Sequence, residues 1–287
     1  MKVAYLLPGF VRNFDNINEI EKFIALNNEH TIDFYTNTYN VLGSEFKEPS
    51  NKRGYADSVR IDENFTEGRF PFKKIDIQDY DTVDKEVTQF AEDYKHLVRS
   101  SAEWDQWNSQ VMRSNEDVKS RLRVTYAQWR NVHEVFNLID DPDQYDMVVK
   151  SRYDAFVSRL VLSDYKIDKD EKTVYGLRYY DGVREEFGLD NGEVINPCMD
   201  FVVLGNPKSM EYYCRHGERE TFIGLLEDEN LSSKEFSNFY HQCDIKLCGE
   251  LPHVYRMVNI GKYTFKEMDP KHFPEGRKLT RKQKFPT

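Results

Sequence analysis

The sequence predicts an α/β fold built on a parallel sheet. Lys2–Leu7 (KVAYLL) is a continuous apolar run, typical of a strand buried on both faces, and the Pro8-Gly9 pair ends it. Asn18–Leu26 then has apolar residues at helical spacing, and Thr31–Thr36 (TIDFYT) reads as a second strand. A strand, a glycine turn, a helix and a strand in this order form a βαβ unit. Such a unit predicts a parallel sheet with a ligand at the carboxyl ends of its strands.

The rest of the chain alternates between extended and helical segments. Further strands are predicted over Tyr145–Lys150, Val157–Leu162, Lys172–Leu177, Asp200–Leu204, Cys243–Leu247 and His253–Asn259. Further helices are predicted over Asp84–Leu97 and Arg121–Ile139, from Ser209 after the Asn206-Pro207 pair, and from Ser232 or Ser233 to Gln242. Residues 43–81 have few periodic apolar positions, so a long loop with short strands is predicted there.

Length and charge limit the domain organisation and the partners. The 287 residues fit one large domain or two small ones, and no linker is visible before residue 270, so we expect one domain over residues 1–270. A formal net charge of -10 disfavours a broad nucleic-acid-binding surface. Residues 271–287 form a basic tail, which contains six Lys or Arg residues and a single acidic residue, Glu275. Such a tail either contacts an anionic acceptor, DNA or membrane surface, or is a solvated chain end.

No part of the sequence has the roughly 18–20 consecutive apolar residues of a membrane helix, so we expect no stable membrane insertion. Met1–Leu7 is too short for a signal peptide. The four cysteines are too sparse for a disulfide scaffold of this size, which favours a reducing, cytoplasmic location. His241, Cys243, Cys248 and His253 are zinc-ligand types, but their spacing matches no common zinc module, so buried apolar cysteines are the favoured interpretation.

The segment that most strongly indicates chemistry is Tyr145–Asp154 (YDMVVKSRYD). Its apolar strand leads into Arg152 and Asp154, which lie two residues apart and therefore point the same way on an extended chain. A carboxylate at a strand end can hold a divalent cation that neutralises a diphosphate, and an arginine can meet phosphate oxygens. A structural ion pair at the strand end is the alternative that these residues leave open.

This segment resembles the strand-to-loop signature of a broad family of glycosyltransferase-like proteins with the GT-A fold, in which it is a variant of the DxD metal-binding motif. Other segments resemble the same family in the same order: KVAYLLPGFVRNF its opening strand and loop, TIDFYTNTY its second strand, YAQWRNVHEVFNLI the helix before the signature, MDFVVLGNPKSMEYY a later strand and helix, and SKEFSNFYHQCDIKL a late helix and strand. The resemblance extends over residues 1–260, and Pro8 replaces a serine that is usual in the family.

The resemblance implies a GT-A-like (Rossmann-like) fold, with a mixed, mostly parallel sheet flanked by helices in a single domain. It also implies transfer of a sugar from a nucleotide-diphosphate donor, with a UDP-sugar favoured. The candidate donor-binding residues are Pro8, Gly9, Arg12, Thr36, Thr38, Gln128 and Arg152, which lie in the opening loop, at the second strand, on the long helix and after the signature strand. Arg12 either holds the diphosphate or the base, which the resemblance favours, or faces solvent. Asp154 is the implied ligand of Mn²⁺ or Mg²⁺, since Arg152 stands at the first acidic position of DxD. Asp200 is the implied base near the acceptor, because an inverting transferase needs a carboxylate to take the proton of the acceptor hydroxyl.

The sequence leaves alternatives open for the acceptor and for the activity. A glycan is the expected acceptor, but the basic tail also suits a viral or phage type of enzyme that glycosylates hydroxymethylated bases in DNA. Arg152 in place of an acid also suits a non-catalytic nucleotide-sugar-binding module. A nucleotidyltransferase ranks behind these, because its activation loop is rich in glycine and basic residues, whereas PGFVRNF has one glycine and one arginine. The sequence contains no P-loop, GxGxxG, GxSxG or HExxH motif.

Overall fold

The computed structural model describes residues 1–11, 17–42, 56–62, 65, 72–98, 115–153, 155, 157–178, 187–188, 194–195, 198–232, 246 and 251–272. The strands are β1 (Lys2–Pro8), β2 (Thr31–Tyr39), β3 (Val41–Leu42), β4 (Ala56–Arg60), β5 (Phe72–Gln78), β6 (Met147–Ser151), β7 (Thr173–Arg178), β8 (Phe187–Gly188), β9 (Val194–Ile195), β10 (Cys198–Gly205) and β11 (Thr264–Glu267). The α-helices are α1 (Ile17–Leu26), α2 (Tyr80–Tyr94), α3 (Asn115–Asn137), α4 (Pro207–Cys214), α5 (Arg219–Glu227), α6 (Glu229–Ser232) and α7 (Leu251–Tyr255).

The main sheet has seven strands in the order β11-β7-β10-β6-β1-β2-β5. Strand β1 pairs in parallel with β2 on one side and with β6 on the other, and β2 pairs in parallel with β5. Strand β10 runs antiparallel to both of its neighbours, β6 and β7, while β11 is parallel to β7. The mixed, mostly parallel sheet of an α/β domain is therefore confirmed.

Helices cover both faces of this sheet because the strands bury side chains on both sides. In β1, Ala4 and Leu6 join a core that also contains Trp129 of α3 and Val87 of α2. The alternate residues of β1 join a second core on the opposite face, which contains Phe23 of α1. This alternation follows from the two-residue period of a strand, and it makes β1 apolar throughout.

Two of the helices that follow strands, α2 and α4, begin at side-chain caps. Asp79 accepts a hydrogen bond from the Thr82 backbone N–H at 2.9 Å at the start of α2. Asn206 accepts one from the Ser209 N–H at 2.7 Å at the start of α4, where Pro207 occupies the first turn. Such caps satisfy backbone donors that a helix leaves free, and the predicted Asn206-Pro207 boundary is confirmed.

Two predicted strands are wrong. Val157–Leu162 is irregular and leads into a 3₁₀ turn over Leu162–Asp164, although Val157, Leu160 and Leu162 are buried. The Asn27 side chain donates to the Leu160 carbonyl and accepts from the Leu162 N–H, both at 2.8 Å, and so replaces the pairing of a strand.

The second wrong strand, His253–Asn259, belongs to α7 and to a π-helical turn over Arg256–Ile260. Val254, Met257 and Val258 are all buried there, and a short, continuously apolar segment does not distinguish a strand from a buried helix. The predicted helix ending at Gln242 and the strand Cys243–Leu247 lie mostly outside the described residues.

The predicted loop over residues 43–81 contains a strand of the main sheet. Strand β5 reads FKKIDIQ, with Lys73 exposed and the remaining side chains half-buried. Its apolar signal is weak because β5 lies at the edge of the described sheet, where lysines protect an unpaired strand from pairing with other chains. Helix α2 also begins within the predicted loop, at Tyr80.

The start of the predicted tail contacts the domain. Lys271 forms ion pairs of 3.0 Å with Asp164 and Asp269. His272 is buried and its imidazole contacts the Tyr165 hydroxyl at 2.8 Å. Residues 273–287 lie outside the described residues, so the boundary at residue 270 stays a prediction. Among the helices that the structure describes, none is long and apolar enough to cross a membrane.

Two buried histidines pack against each other beneath α3. The ring centroids of His216 and His253 are 4.7 Å apart, and His253 stacks on Trp129 at 4.2 Å. None of the four ring nitrogens has a hydrogen-bond partner among the described residues. Burial holds the pKa of both imidazoles well below its ordinary value, and the positive charge of Arg256 adds to this effect. The turn that carries His216 lies so close to α3 that a Cβ on Gly217 would be 1.8 Å from the Trp129 carbonyl oxygen.

We expect the free energy of unfolding to fall as the pH drops below about 6.5, the ordinary pKa of a histidine in an unfolded chain. Below that pH the unfolded chain binds protons that the folded His216 and His253 exclude, which adds a slope of up to about 1.4 kcal/mol per pH unit for each of them. Urea denaturation at several pH values measures this slope. His253→Phe should make it shallower by up to that amount, whereas the same change at the exposed His96 should leave it unaltered. Equal slopes in both variants would contradict the expectation.

Candidate active site at the carboxyl edge of the sheet

The strand order places a topological switch point between the carboxyl ends of β1 and β6. The chain leaves β1 through α1 to β2 on one side of it, whereas β6 lies on its other side. Open α/β sheets bind ligands outside the carboxyl ends of their strands at such a point. Leu6 of β1 pairs with Lys150 of β6, so the residues that follow, Gly9 and Arg152, emerge at the same edge.

The loop after β1 turns sharply at Gly9. Its φ of +92° lies in the left-handed region that favours glycine, and its backbone N–H donates to the Asn37 carbonyl at 2.9 Å. A Cβ at this position would lie 3.9 Å from Nδ2 of Asn131, the one described heavy atom found within 4 Å. Pro8 is buried and ends β1 opposite Asn37. Among the described residues, only the Asn131 amide therefore comes within 4 Å of a side chain built at Gly9, at the edge where a ligand is expected.

The end of β6 is fastened to β1 and β2 by hydroxyl groups. The Tyr153 hydroxyl bonds to Oγ1 of Thr36, and Thr36 in turn donates to the Leu7 carbonyl at 2.8 Å. Since Thr36 has a single hydroxyl proton, Tyr153 is the donor of the first bond. Oγ of Ser151 lies 2.7 Å from the Tyr5 hydroxyl. Thr36 of β2 is fully buried, and its hydroxyl connects β1, β2 and the residues after β6.

Three buried polar atoms near this edge have no hydrogen-bond partner among the described residues: Oγ1 of Thr38, Oδ1 of Asn37 and Oδ1 of Asn131. The amide nitrogens of the two asparagines are used, since Asn37 donates to Asp76 and Asn131 donates to the Tyr39 hydroxyl, each at 2.5 Å. Asn37 alternates with Tyr35 and Tyr39 along β2 and so shares their face of the sheet, the face that α3 covers. Buried polar atoms without partners are rare in folded proteins, so a cluster of them indicates a place for a ligand or water.

Strand β10 brings Asp200 to the same edge. Val202 pairs with Ser151 in antiparallel register, so the residues before Val202 lie beside those after Ser151. On the other side of β10, Met199 pairs with Leu177 and Val203 with Gly176, so residues 200–202 form a bulge. Bulges are common beside active sites, where they change the direction of a side chain. The structure describes the backbone of Asp200 but not its side chain.

The remaining predicted site residues divide into two groups. Arg152 and Gln128 are half-buried, the first directly after β6 and the second on α3. Arg12 and Asp154 lie outside the described residues. Within the part of the chain that the structure describes, no three His, Cys, Asp or Glu side chains come together as a possible metal site.

Sequence reasoning missed four residues at this edge. Asn37, Asn131 and Lys150 are buried there, and Tyr153 makes the bond to Thr36. Asn131 had a detectable signal, because an asparagine within the apolar stripe of a helix needs a polar partner. Lys150 had a similar signal, because it is a lysine in a strand that is buried on both faces, where a charged side chain needs a partner.

Comparisons with known proteins add little. No family model matches the chain, and neither does any curated protein. One solved structure that resembles it is that of WbbM, a bifunctional glycosyltransferase, in its apo form, with 13% sequence identity and a TM-score of 0.34. The likeness covers 93% of this chain, which spans 38% of the length of that one. A superposition this loose does not establish a shared fold or activity.

We expect Gly9→Ala to lower the free energy of unfolding by about 1–2 kcal/mol while the protein still folds, because a Cβ disfavours the left-handed backbone. No side-chain clash adds to this cost, since the nearest described atom is 3.9 Å away. Gly224→Ala is the matched control, because no described atom outside its own helix backbone lies within 4 Å of a Cβ there and its φ is not in the left-handed region. In the α5 interior alanine should stabilise by about 0.5–1 kcal/mol. Urea denaturation of both variants tests the difference in sign.

Proposed function

We propose that the chain is a glycosyltransferase, which moves a sugar from a nucleotide-diphosphate donor to a hydroxyl acceptor. The observation that carries the proposal is the convergence of three segments at one sheet edge: the Gly9 turn, the end of β6 and the bulge of β10. These are also segments whose sequences resemble the GT-A glycosyltransferase family. A UDP-sugar is the favoured donor. A glycan is the favoured acceptor, because a net charge of -10 opposes the approach of DNA beyond the reach of a basic tail.

In the proposed reaction the donor lies across the carboxyl ends of β1 and β6. Arg12 and Arg152 neutralise the diphosphate, whose charge increases as it leaves. In an inverting transfer, the Asp200 carboxylate takes the proton of the acceptor hydroxyl while its oxygen forms a bond to the anomeric carbon. The bond from that carbon to the diphosphate breaks, and the nucleoside diphosphate departs with the electron pair.

A metal ion is a separate part of the proposal. Asp154 is the proposed ligand of Mn²⁺ or Mg²⁺, and when bound such a cation neutralises the diphosphate. Asp154 lies outside the described residues, and the described residues contain no group of three acidic, histidine or cysteine side chains that could hold a metal ion. No step of the proposed reaction is assigned to the cation, and Arg12 and Arg152 are the groups proposed to neutralise the diphosphate.

We expect UDP-sugars to stabilise the protein more with Mn²⁺ than with a chelator, and UDP to be released when a donor is supplied with Mn²⁺. A ligand that binds only the folded state stabilises that state by about 2.7 kcal/mol when its free concentration is about 100 times its Kd. A thermal-shift panel of nucleotide sugars measures binding, and an assay of released nucleotide measures turnover. Asp154→Asn should remove the Mn²⁺ dependence.

The outcomes of that panel separate the candidates. Stabilisation without released nucleotide or transfer would favour the non-catalytic binding module. Equal binding with Mn²⁺ and with chelator would reject the metal and leave Arg12 and Arg152 as the neutralising groups. If no nucleotide sugar stabilises the protein under either condition, the proposed function is wrong.

We expect Asp200→Asn to lower kcat by about 10²–10⁴-fold, the usual contribution of a general base, with little change in the affinity for the donor. The amide keeps the size of the side chain but cannot take the proton. Steady-state kinetics with a saturating donor measures kcat, and calorimetry measures donor affinity. Asp143→Asn serves as a control, since Asp143 is exposed and lies in the turn that precedes β6, at the opposite edge of the sheet. Equal losses in both variants would indicate that Asp200 is not the base.

A further inference from the structure

Of the two polar atoms of the Asn131 side chain, only the amide nitrogen has a hydrogen-bond partner among the described residues. The side chain is buried at 3% exposure, and Nδ2 donates to the Tyr39 hydroxyl at 2.5 Å, whereas Oδ1 has no partner among the described residues. Exchanging the amide oxygen and nitrogen would not remove the deficit, because the hydroxyl of Tyr39 would still bond only one of them. A buried polar atom left unpaired is destabilising, so its presence indicates a partner that arrives from outside the chain.

The position of this amide connects it to the candidate site. Nδ2 of Asn131 is the described heavy atom that a Cβ on Gly9 would meet, at 3.9 Å, and no other lies within 4 Å. The Asn131 amide is therefore the described polar group next to the left-handed turn at Gly9. Oδ1 of Asn37, on the same side of the sheet, is also buried and unpartnered among the described residues.

We infer that Asn131 is a specificity-determining residue, whose Oδ1 accepts a hydrogen bond from an N–H or O–H group in the nucleoside part of the donor. This inference rests on the proposed function. Ionised phosphate oxygens only accept hydrogen bonds, so the diphosphate cannot satisfy a carbonyl oxygen. The nucleoside can, through the N–H of its base or through a ribose hydroxyl. The diphosphate is then oriented towards Arg152, at the end of β6.

A cycle of protein and ligand changes tests the inference. The best-binding compound among UDP, GDP, CDP and ADP is compared by calorimetry with three analogues: its base-N-methyl, 2′-deoxy and 3′-deoxy forms. Each compound is titrated into the wild type, Asn131→Leu and Asn131→Ala. The alanine variant is included in case the leucine variant fails to fold. Alanine also removes the acceptor oxygen and introduces no branched side chain. Asn137→Leu is the matched control, because Asn137 lies exposed at the end of the same helix.

The expected result is a coupling between one ligand group and Asn131. The wild type and Asn137→Leu should bind the parent compound about five- to tenfold more tightly than the analogue that lacks the donor group, the usual effect of one hydrogen bond. In both Asn131 variants this ratio should fall to about one. Loss of the ratio with the N-methyl analogue identifies the base as the source, and loss with a deoxy analogue identifies the ribose.

Two results would overturn the inference. If the wild type binds a nucleoside diphosphate and every ratio is unchanged in the Asn131 variants, Asn131 does not read the nucleoside, while the proposed function stands. If the wild type binds none of the four compounds, the proposed function fails and the inference fails with it. Because the readout is a ratio, a general weakening of the variants does not imitate the expected result.

Discussion

The double-sided burial of β1 is the constraint on which the rest of the structure depends. Its residues from Val3 to Leu7 are fully buried, and it pairs in parallel with β2 and with β6. A parallel strand in the middle of a sheet needs apolar cover on both faces, which α1 and α3 provide from opposite sides. The chain leaves the carboxyl end of β1 towards α1 and β2, whereas β6 is reached only later, through α3, so a topological switch point lies between β1 and β6.

The same constraint explains why polar groups gather at that end. Near the point where β1 ends at Pro8, the Tyr153 and Thr36 hydroxyls bond to each other and connect the segment after β6 to β2. The Gly9 turn then gives backbone access to the space above the strands. Arg152 follows β6 at this edge, and the antiparallel register of β10 places the backbone of Asp200 there as well. Segments that lie far apart in the sequence therefore meet at one edge of the sheet.

Two groups of buried polar atoms without a partner among the described residues differ in their surroundings. Oδ1 of Asn37 and Oδ1 of Asn131 lie near the carboxyl edge of the sheet, where we propose that the donor completes a hydrogen bond. The ring nitrogens of His216 and His253 lie within an aromatic cluster around Trp129. The two histidines bind fewer protons in the folded than in the unfolded state, so we expect them to lower the stability of the protein at acid pH.

The sequence by itself determined the α/β class, the βαβ opening, the strand before Arg152 and the helix start at Asn206, because each depends on a periodicity or a cap within one segment. It also marked Gly9, whose left-handed turn only glycine adopts readily. It did not reveal β5, the helical state of His253–Asn259 or the irregular path of Val157–Leu162, where edge position, deep burial and the Asn27 side chain override the local pattern. Only the tertiary structure decided that β10 is antiparallel and that Asn131 faces Gly9. Pairing direction and side-chain neighbours depend on contacts between residues distant in sequence, which the pattern of a single segment does not contain.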